Sequence, residues 1–147
     1  MKINMKVKGI DQLIAQLRHT AEKVSDSARK TMHREADRIV EQARLYAPVD
    51  KHNLEESIRK DVHYGHRGRL QIDIVMGGIV NGVNVDTYAV EVHENYDDAR
   101  PGPGTQAKRD ANPGVHIGRK FLTRAMEERA PILQRAMISA VEKEFKL

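Results

Sequence analysis

Apolar positions change period three times along the chain. Residues 2–8 alternate, with Ile3, Met5 and Val7 on one side and lysines or Asn4 on the other, which predicts a short strand with one buried face. Gly9 ends it. From Ile10 the steps become three or four: Ile10, Leu13, Ile14, Leu17, Ala21, Val24, Ala28, Met32, Ala36, Ile39, Val40, Ala43 and Ala47 form one helical stripe. Unbroken, such a helix would be roughly 55 Å long at ~1.5 Å per residue. Ser25-Asp26-Ser27 offers an interruption, which would give a short helix and then a long one.

Pro48 stops this stripe, because it lacks an N–H and biases Ala47 away from the α region. Asp50 is expected to cap a new turn, and Leu54 and Ile58, four apart, to face the same core. Strands follow: a weak one at 59–65, a well-alternating one at 70–76, and a third over 83–93 with a helical turn around Tyr88. Gly77-Gly78 and Asn81-Gly82 mark turns between them, so two or three strands form a meander. Residues 95–116 carry three prolines and three glycines without a period. Such a segment reads as a long loop, either mobile or ordered only against a neighbour. The final stripe, Phe121, Leu122, Ala125, Met126, Leu133, Ala136, Met137, Ala140, Val141 and Phe145, is a helix that Pro131 kinks or restarts. Met32, Met76, Met126 and Met137 fall on apolar stripes and read as core. The fold class is α+β in a single domain, 1–147: a long N-terminal helical region and a C-terminal helix packed on a small, mainly antiparallel sheet.

Composition adds boundaries. Apolar residues make up 39% and charged residues 31% of 147, as in a soluble globular chain, but aromatics reach only 4% and Trp is absent. So thin a core suggests that partners supply some of the stability. The absence of cysteine excludes a disulfide framework, a thiolate metal site and a cysteine nucleophile. The first residues show no apolar h-region of a signal peptide, and no apolar run approaches the ~20 residues that span a bilayer. The net charge of +4 is unevenly placed. Lys2, Lys6 and Lys8, then Arg59, Lys60, Arg67 and Arg69, then the segment from Arg119 are basic. Asp73, Asp86, Glu91 and Glu94 are acidic. This separation suits head-to-tail contact between copies or contact with an acidic partner.

Catalytic signals are weak. His93-Glu94 lacks the second histidine of the zinc motif HExxH, and on a strand the two would face opposite sides; a hydrogen-bonded pair closing the sheet is the plainer reading. His63, His66 and Arg67 form a basic patch without the aromatic platform used for single strands. Gly102, Gly104 and Gly114 sit among prolines and make no phosphate loop. Ser57 and Ser139 have no nucleophile setting, and Asp97-Asp98 lies where solvation is the default. Nothing in the residues specifies an enzyme, a cofactor or a metal.

The stretch QARLYAPVDKHNLEESI, residues 42–58, carries more information. It resembles the motif of a family of tailed-phage morphogenesis proteins, gene-product-10-like, also described as head–tail joining or tail-completion proteins. In that motif a helix ends in Ala-Arg, followed by Ala-Pro-Val-Asp, Thr-Gly, one residue, Leu, two residues and Ser-Ile. The matching positions are Ala43, Arg44, Ala47, Pro48, Val49, Asp50, Leu54, Ser57 and Ile58. Tyr88, Ala89, His93 and Glu94 are similar to the segment that follows the family's sheet, and Phe121, Leu122 and Ala125 to its final helix. Gly9-Ile10-Asp11-Gln12-Leu13 is similar to its start. Two departures stand out. The family's Thr-Gly is Lys51-His52 here, so either the turn differs or His52 is held at a costly positive φ. The usual proline before Phe-Leu is Lys120.

The resemblance implies a structural virion protein at the neck, assembled in the host cytoplasm, without catalysis, cofactor or membrane. It implies a homo-oligomeric ring, taken as a hexamer, that completes the tail or docks it to the head. Its neighbours would be neck and tail-tube proteins, with encapsidated DNA passing through the lumen. Asp97, Arg100, Lys108, Arg109, His116, Arg67 and Arg69 are then the candidate subunit or partner contacts. On that reading, removing residues 97–114 should leave a folded chain that fails to assemble. The alternative is a small basic nucleic-acid-binding module using Lys2, Lys6, Lys8, Arg67 and Arg69. A metal-dependent hydrolase on His93 and Glu94 stands third.

Overall fold

The computed structural model of the chain describes residues 2–5, 22–65 and 69–145, with side chains from residue 26 onward. The stripe from Ile10 to Ala21, the residues Lys6, Lys8, His66 and Arg67, and the side chain of Lys2 lie outside the described residues. The elements in chain order are strand β1 (Lys2–Met5), helix α1 (Glu22–Tyr46), short helix α2 (Asn53–Ser57) and strands β2 (Arg59–Tyr64) and β3 (Leu70–Val75). Strands β4 (Ile79–Val80) and β5 (Val83–Asn84), a 3-10 turn (Val85–Thr87), and helices α3 (Ala89–Asn95), α4 (Pro103–Ala111) and α5 (Phe121–Phe145) follow. The chain is α+β.

Helices α1 and α5 form the body. The predicted stripe of α1 is buried at Ala28, Met32, Ala36, Ile39, Val40 and Ala43. It meets Phe121, Leu122, Ala125, Leu133, Met137 and Val141 of α5. Alanine at every second turn lets the backbones approach, and the larger partners fill the remaining space; each large side chain fully buried contributes about 1.5–3 kcal/mol. Glu35 is buried within this interface. It is tolerated because both oxygens are paired, one with Arg38 of α1 (3.0 Å) and the other with Arg129 of α5 (2.8 Å).

The main sheet is antiparallel in the order β1-β3-β2. Register places Val62 opposite Ile72 and Lys60 opposite Ile74, and Ile72 and Ile74 are fully buried. The intervening Asp73 is also buried, held by Gln71 (3.1 Å) and His63 (3.3 Å). Asp73 therefore adds nothing to the surface charge of the segment counted as acidic. Asn81 and Gly82, both at positive φ, turn β4 into β5 as the dipeptide predicts.

Several expectations are corrected. Ser25-Asp26-Ser27 does not interrupt α1: Asp26 pairs with Arg29 one turn on (3.5 Å), and Ser27 Oγ reaches the Ala140 carbonyl of α5 (3.5 Å). Pro131 does not restart α5, which runs through it because Ala125 and Leu133 clamp both sides to the core. The strand over 83–93 stops at Asn84, whose side chain accepts from the Asp86 amide (3.2 Å) and starts a 3-10 turn; Val85, Ala89 and His93, each four apart, are then buried as one helical face. The segment 95–116 is not a loop throughout, since α4 occupies Pro103–Ala111 and is bonded to the corner after α1. Asp50 is exposed and caps nothing: the N-cap of α2 is His52, without a side-chain cap bond.

Candidate functional site

The corner after α1 is held by two cations. Arg44 donates from Nε and Nη2 to the Ile58 carbonyl (3.1 and 2.7 Å), closing the two ends of the 43–58 motif on one another. Lys108 of α4 donates to the carbonyls of Arg44 (2.6 Å) and Ala47 (2.8 Å) and to Glu55 (2.9 Å). It thereby satisfies the orphan carbonyls that Pro48 leaves at the end of α1. Burial pushes the Lys108 ammonium below its ordinary range, and Glu55 pulls the other way. Ser57 Oγ donates to the Leu54 carbonyl (2.7 Å), so the motif's serine closes α2. Leu54 and Ile58 are both buried in one core, as their spacing predicts. His52 has φ 65° and ψ 0°, the left-handed conformation expected where the family carries glycine.

Helix α4 docks on this corner. Thr105 Oγ1 accepts from the Val49 amide (3.0 Å) and from Tyr96 Oη (2.9 Å) and faces the Val49 carbonyl (3.4 Å). Tyr96 Oη in turn accepts from the Gly102 amide (3.1 Å). A Cβ on Gly104 would lie 2.6 Å from the Val49 carbonyl oxygen, so only glycine permits this approach.

A second knot holds the far end of the segment. The Asp98 carboxylate accepts from the Arg119 amide (2.9 Å) and pairs with His116 (3.0 Å). A Cβ on Gly118 would lie 1.9 Å from that carboxylate. Burial opposes ionisation of Asp98, but the Arg119 amide and His116 outweigh it and hold its pKa below the usual carboxylate value. Arg109 donates to the carbonyls of Ile117 (3.1 and 2.7 Å) and Asp98 (3.0 Å).

His93 and Glu94 are hydrogen-bonded (3.1 Å), on a helix rather than at the end of a strand. The His93 ring is fully buried edge-on to Phe121, with centroids 4.9 Å apart, and burial lowers its pKa although Glu94 opposes this. Glu94 pairs with Lys120, whose amide donates to the His93 carbonyl (2.7 Å) and whose φ is 59°. Proline cannot adopt that angle, so this chain makes the approach to α5 differently. Among the described residues no group of three or more His, Asp or Glu side chains is placed to hold a metal, and no helix is long and apolar enough to cross a membrane.

Between the corner, α3 and the start of α4 lies a half-open cleft of about 560 Å³. Pro48, Val49, Leu54, Val83, Tyr88, Val92, Tyr96 and Pro103 give it apolar walls, and Asp50, Lys51, His52, Asp97 and Arg100 add polar lining. Thus Pro48, Val49, Asp50, Leu54 and Tyr88 of the sequence motif share one surface with Asp97 and Arg100. Lys108, Arg109 and His116 are spent on bonds within the chain, Arg69 is exposed at the end of the β2–β3 hairpin, and Arg67 lies outside the described residues. Ala89, Phe121, Leu122 and Ala125 are buried core. Sequence reasoning missed Thr105, Gly104 and Tyr96; the Gly102-Pro103 pair at a helix start was the available signal.

The β4–β5 hairpin stands beside the cleft. Asn81 Nδ2 anchors it to Asn53 (3.1 Å) and Glu56 (3.0 Å) of α2. Val80 and Val83 are cross-strand partners, whereas Ile79 pairs with Asn84 on the opposite face. Val83 lines the cleft; Ile79 points away from it and is 77% exposed.

Residues 11–100 match the family described as "Bacteriophage HK97-gp10, putative tail-component". No curated protein and no solved structure matches the chain.

Proposed function

The chain belongs to the HK97-gp10-like family of bacteriophage tail components, and from that premise we propose that it is the subunit of a ring at the head–tail interface, completing the tail or joining it to the head. The role is structural, with no catalysis and no cofactor, and its place is the virion neck, against neck and tail-tube proteins. Six copies would match the symmetry of a tail tube.

The observation that carries the ring is the pairing of one concave and one projecting surface on different sides of a hairpin. A ring needs heterologous contacts, in which one face of a subunit meets a different face of the next. Here Ile79 is an exposed apolar knob anchored through Asn81, and the cleft lined by Val49, Tyr88, Val92 and Tyr96 is an unfilled apolar hollow. Ile79 of one subunit entering the cleft of its neighbour would repeat around an axis. Asp97 and Arg100 would meet the neighbour at the edge of the same contact.

Two variants test this together. Ile79→Asp removes the knob and keeps the cleft; Val83→Arg fills the cleft and keeps the knob. Each alone should remain folded by circular dichroism, stay monomeric in sedimentation at concentrations where the unaltered chain forms rings, and fail to join tails. Mixed in equal amounts they should give a heterodimer and no ring. Rings formed by Ile79→Asp alone would sink the proposed contact.

A further inference from the structure

A surface distant from the cleft has a different character. On α1, Lys30, Arg34 and Arg38 follow one another at four-residue steps and are exposed. At ~1.5 Å per residue they form a ridge about 12 Å long. Beside it, between α1 and β2, a shallow depression is lined by Arg29, Lys30, Arg34 and Lys60 against only two carboxylates, Asp26 and Asp37. Those carboxylates are engaged, Asp26 with Arg29 (3.5 Å) and Asp37 with Lys60 (2.8 Å). Lys60 also donates to His33 Nδ1 (3.2 Å), which fixes its ammonium at the rim. Arg34 has only a loose pairing with the buried Glu35 (3.8 Å), whose oxygens are taken more closely by Arg38 and Arg129.

Arg38 is accounted for by its pairing with buried Glu35, but like charges four apart repel on an isolated helix, so Lys30 and Arg34 are not explained by the stability of α1. It is also unlike a protein contact, which would need an apolar centre. The depression has two rings, Tyr64, 63% exposed, and the half-buried His33, and otherwise charge. What such a row recognises is a partner with regularly repeated negative charge and no demand for apolar contact. A duplex carries one charge per ~1.7 Å of axis, so the ridge spans about seven phosphate charges when laid along it.

From this ridge and depression we infer that the α1–β2 face binds the phosphodiester backbone of duplex DNA without reading sequence. The inference rests on the patch itself and goes beyond the ring reading: the residues are not those of the cleft or hairpin, and loss of ring assembly would leave it standing.

The test uses the full-length chain and a 20-base-pair duplex of arbitrary sequence, over a salt series of roughly 50–200 mM. Contact through Lys30, Arg34, Arg38 and Lys60 predicts a log–log salt slope of about −3 to −4. Lys30→Gln with Arg34→Gln should reduce that slope by about two. Arg135→Gln with Lys143→Gln removes the same charge from α5 and should leave the slope unchanged. Absence of binding at the lowest salt overturns the inference. Equal losses from both double variants also overturn it, because net charge alone would then explain the binding. Polyglutamate binding in place of the duplex overturns it in favour of an acidic protein partner.

Discussion

The α1–α5 body and the segment from Asp97 to Lys120 are held by opposite means. The body is apolar: alanines, Ile39, Phe121, Leu122 and Met137 are buried against one another, with one paired carboxylate among them. The segment is mainly polar, with Ile117 as its fully buried apolar side chain. Thr105, Lys108, Arg109, Asp98 and Tyr96 hold it to carbonyls, amides and one another, and Thr105 is the buried residue of its helix α4. Burial of area is non-directional, whereas a hydrogen bond demands a partner at one place. The body should therefore yield in proportion to lost volume, and the segment residue by residue.

That contrast sets the expected order of effects. Phe121→Ala opens a cavity at a fully buried site and should cost about 3–5 kcal/mol in denaturant unfolding; a cost below about 1 kcal/mol would mean that the body is loosely packed. Lys108→Met keeps the length but strands the Arg44 and Ala47 carbonyls and Glu55. It should cost about 1–3 kcal/mol and raise amide exchange around residues 44–49 and 103–111 before the body opens. Uniform exchange across the chain would erase the distinction between the regions.

Asp98 sharpens the comparison through pH. Its folded pKa is depressed, so its contribution is present above the unfolded value of 3.8 and is lost as pH falls through the lower folded value. Asp98→Asn should remove part of the stability at neutral pH and flatten the acid-induced loss below about pH 4. Parallel pH–stability curves for the two proteins would show that the carboxylate does not staple the segment. The smallest effect belongs to His52→Gly. Relief of the left-handed conformation, worth roughly 1–2 kcal/mol, is partly offset by the greater freedom of glycine in the unfolded chain. A net gain of up to about 1 kcal/mol in thermal unfolding is expected; a loss would mean that the His52–Glu55 contact outweighs the strain.

The same contrast explains what could be read from residues alone. Helices α1 and α5 announce themselves because their packing partners are apolar at steps of three and four. The β2–β3 strands and the Asn81-Gly82 turn are equally legible from alternation and turn chemistry. Helix α3 reads as a strand in the sequence because Val83, Val85, Tyr88, Val90 and Val92 carry strand propensity, while Val85, Ala89 and His93 also lie four apart; the Asn84 cap decides between the two. Helix α4 has no apolar stripe to read, since its buried face is Thr105 and the stem of Lys108. The corner motif was legible as a pattern, but its reasons were not. Arg44 and Ile58 are fourteen residues apart, and nothing local predicts that one clamps the other.

By itself the sequence determined the two long helices, the antiparallel strands, the stop at Pro48 and the strained position at His52, all local consequences of period, proline and glycine replacement. It also carried the family motif. The tertiary structure alone decided that residues 95–120 fold back on the corner, that Asp73 and Glu35 are interior charges, and that Ile79 and the cleft lie on opposite sides of one hairpin. The reason is physical: apolar burial writes a periodic signature into neighbouring residues, whereas a hydrogen bond across sixty residues leaves none until the backbone brings donor and acceptor together.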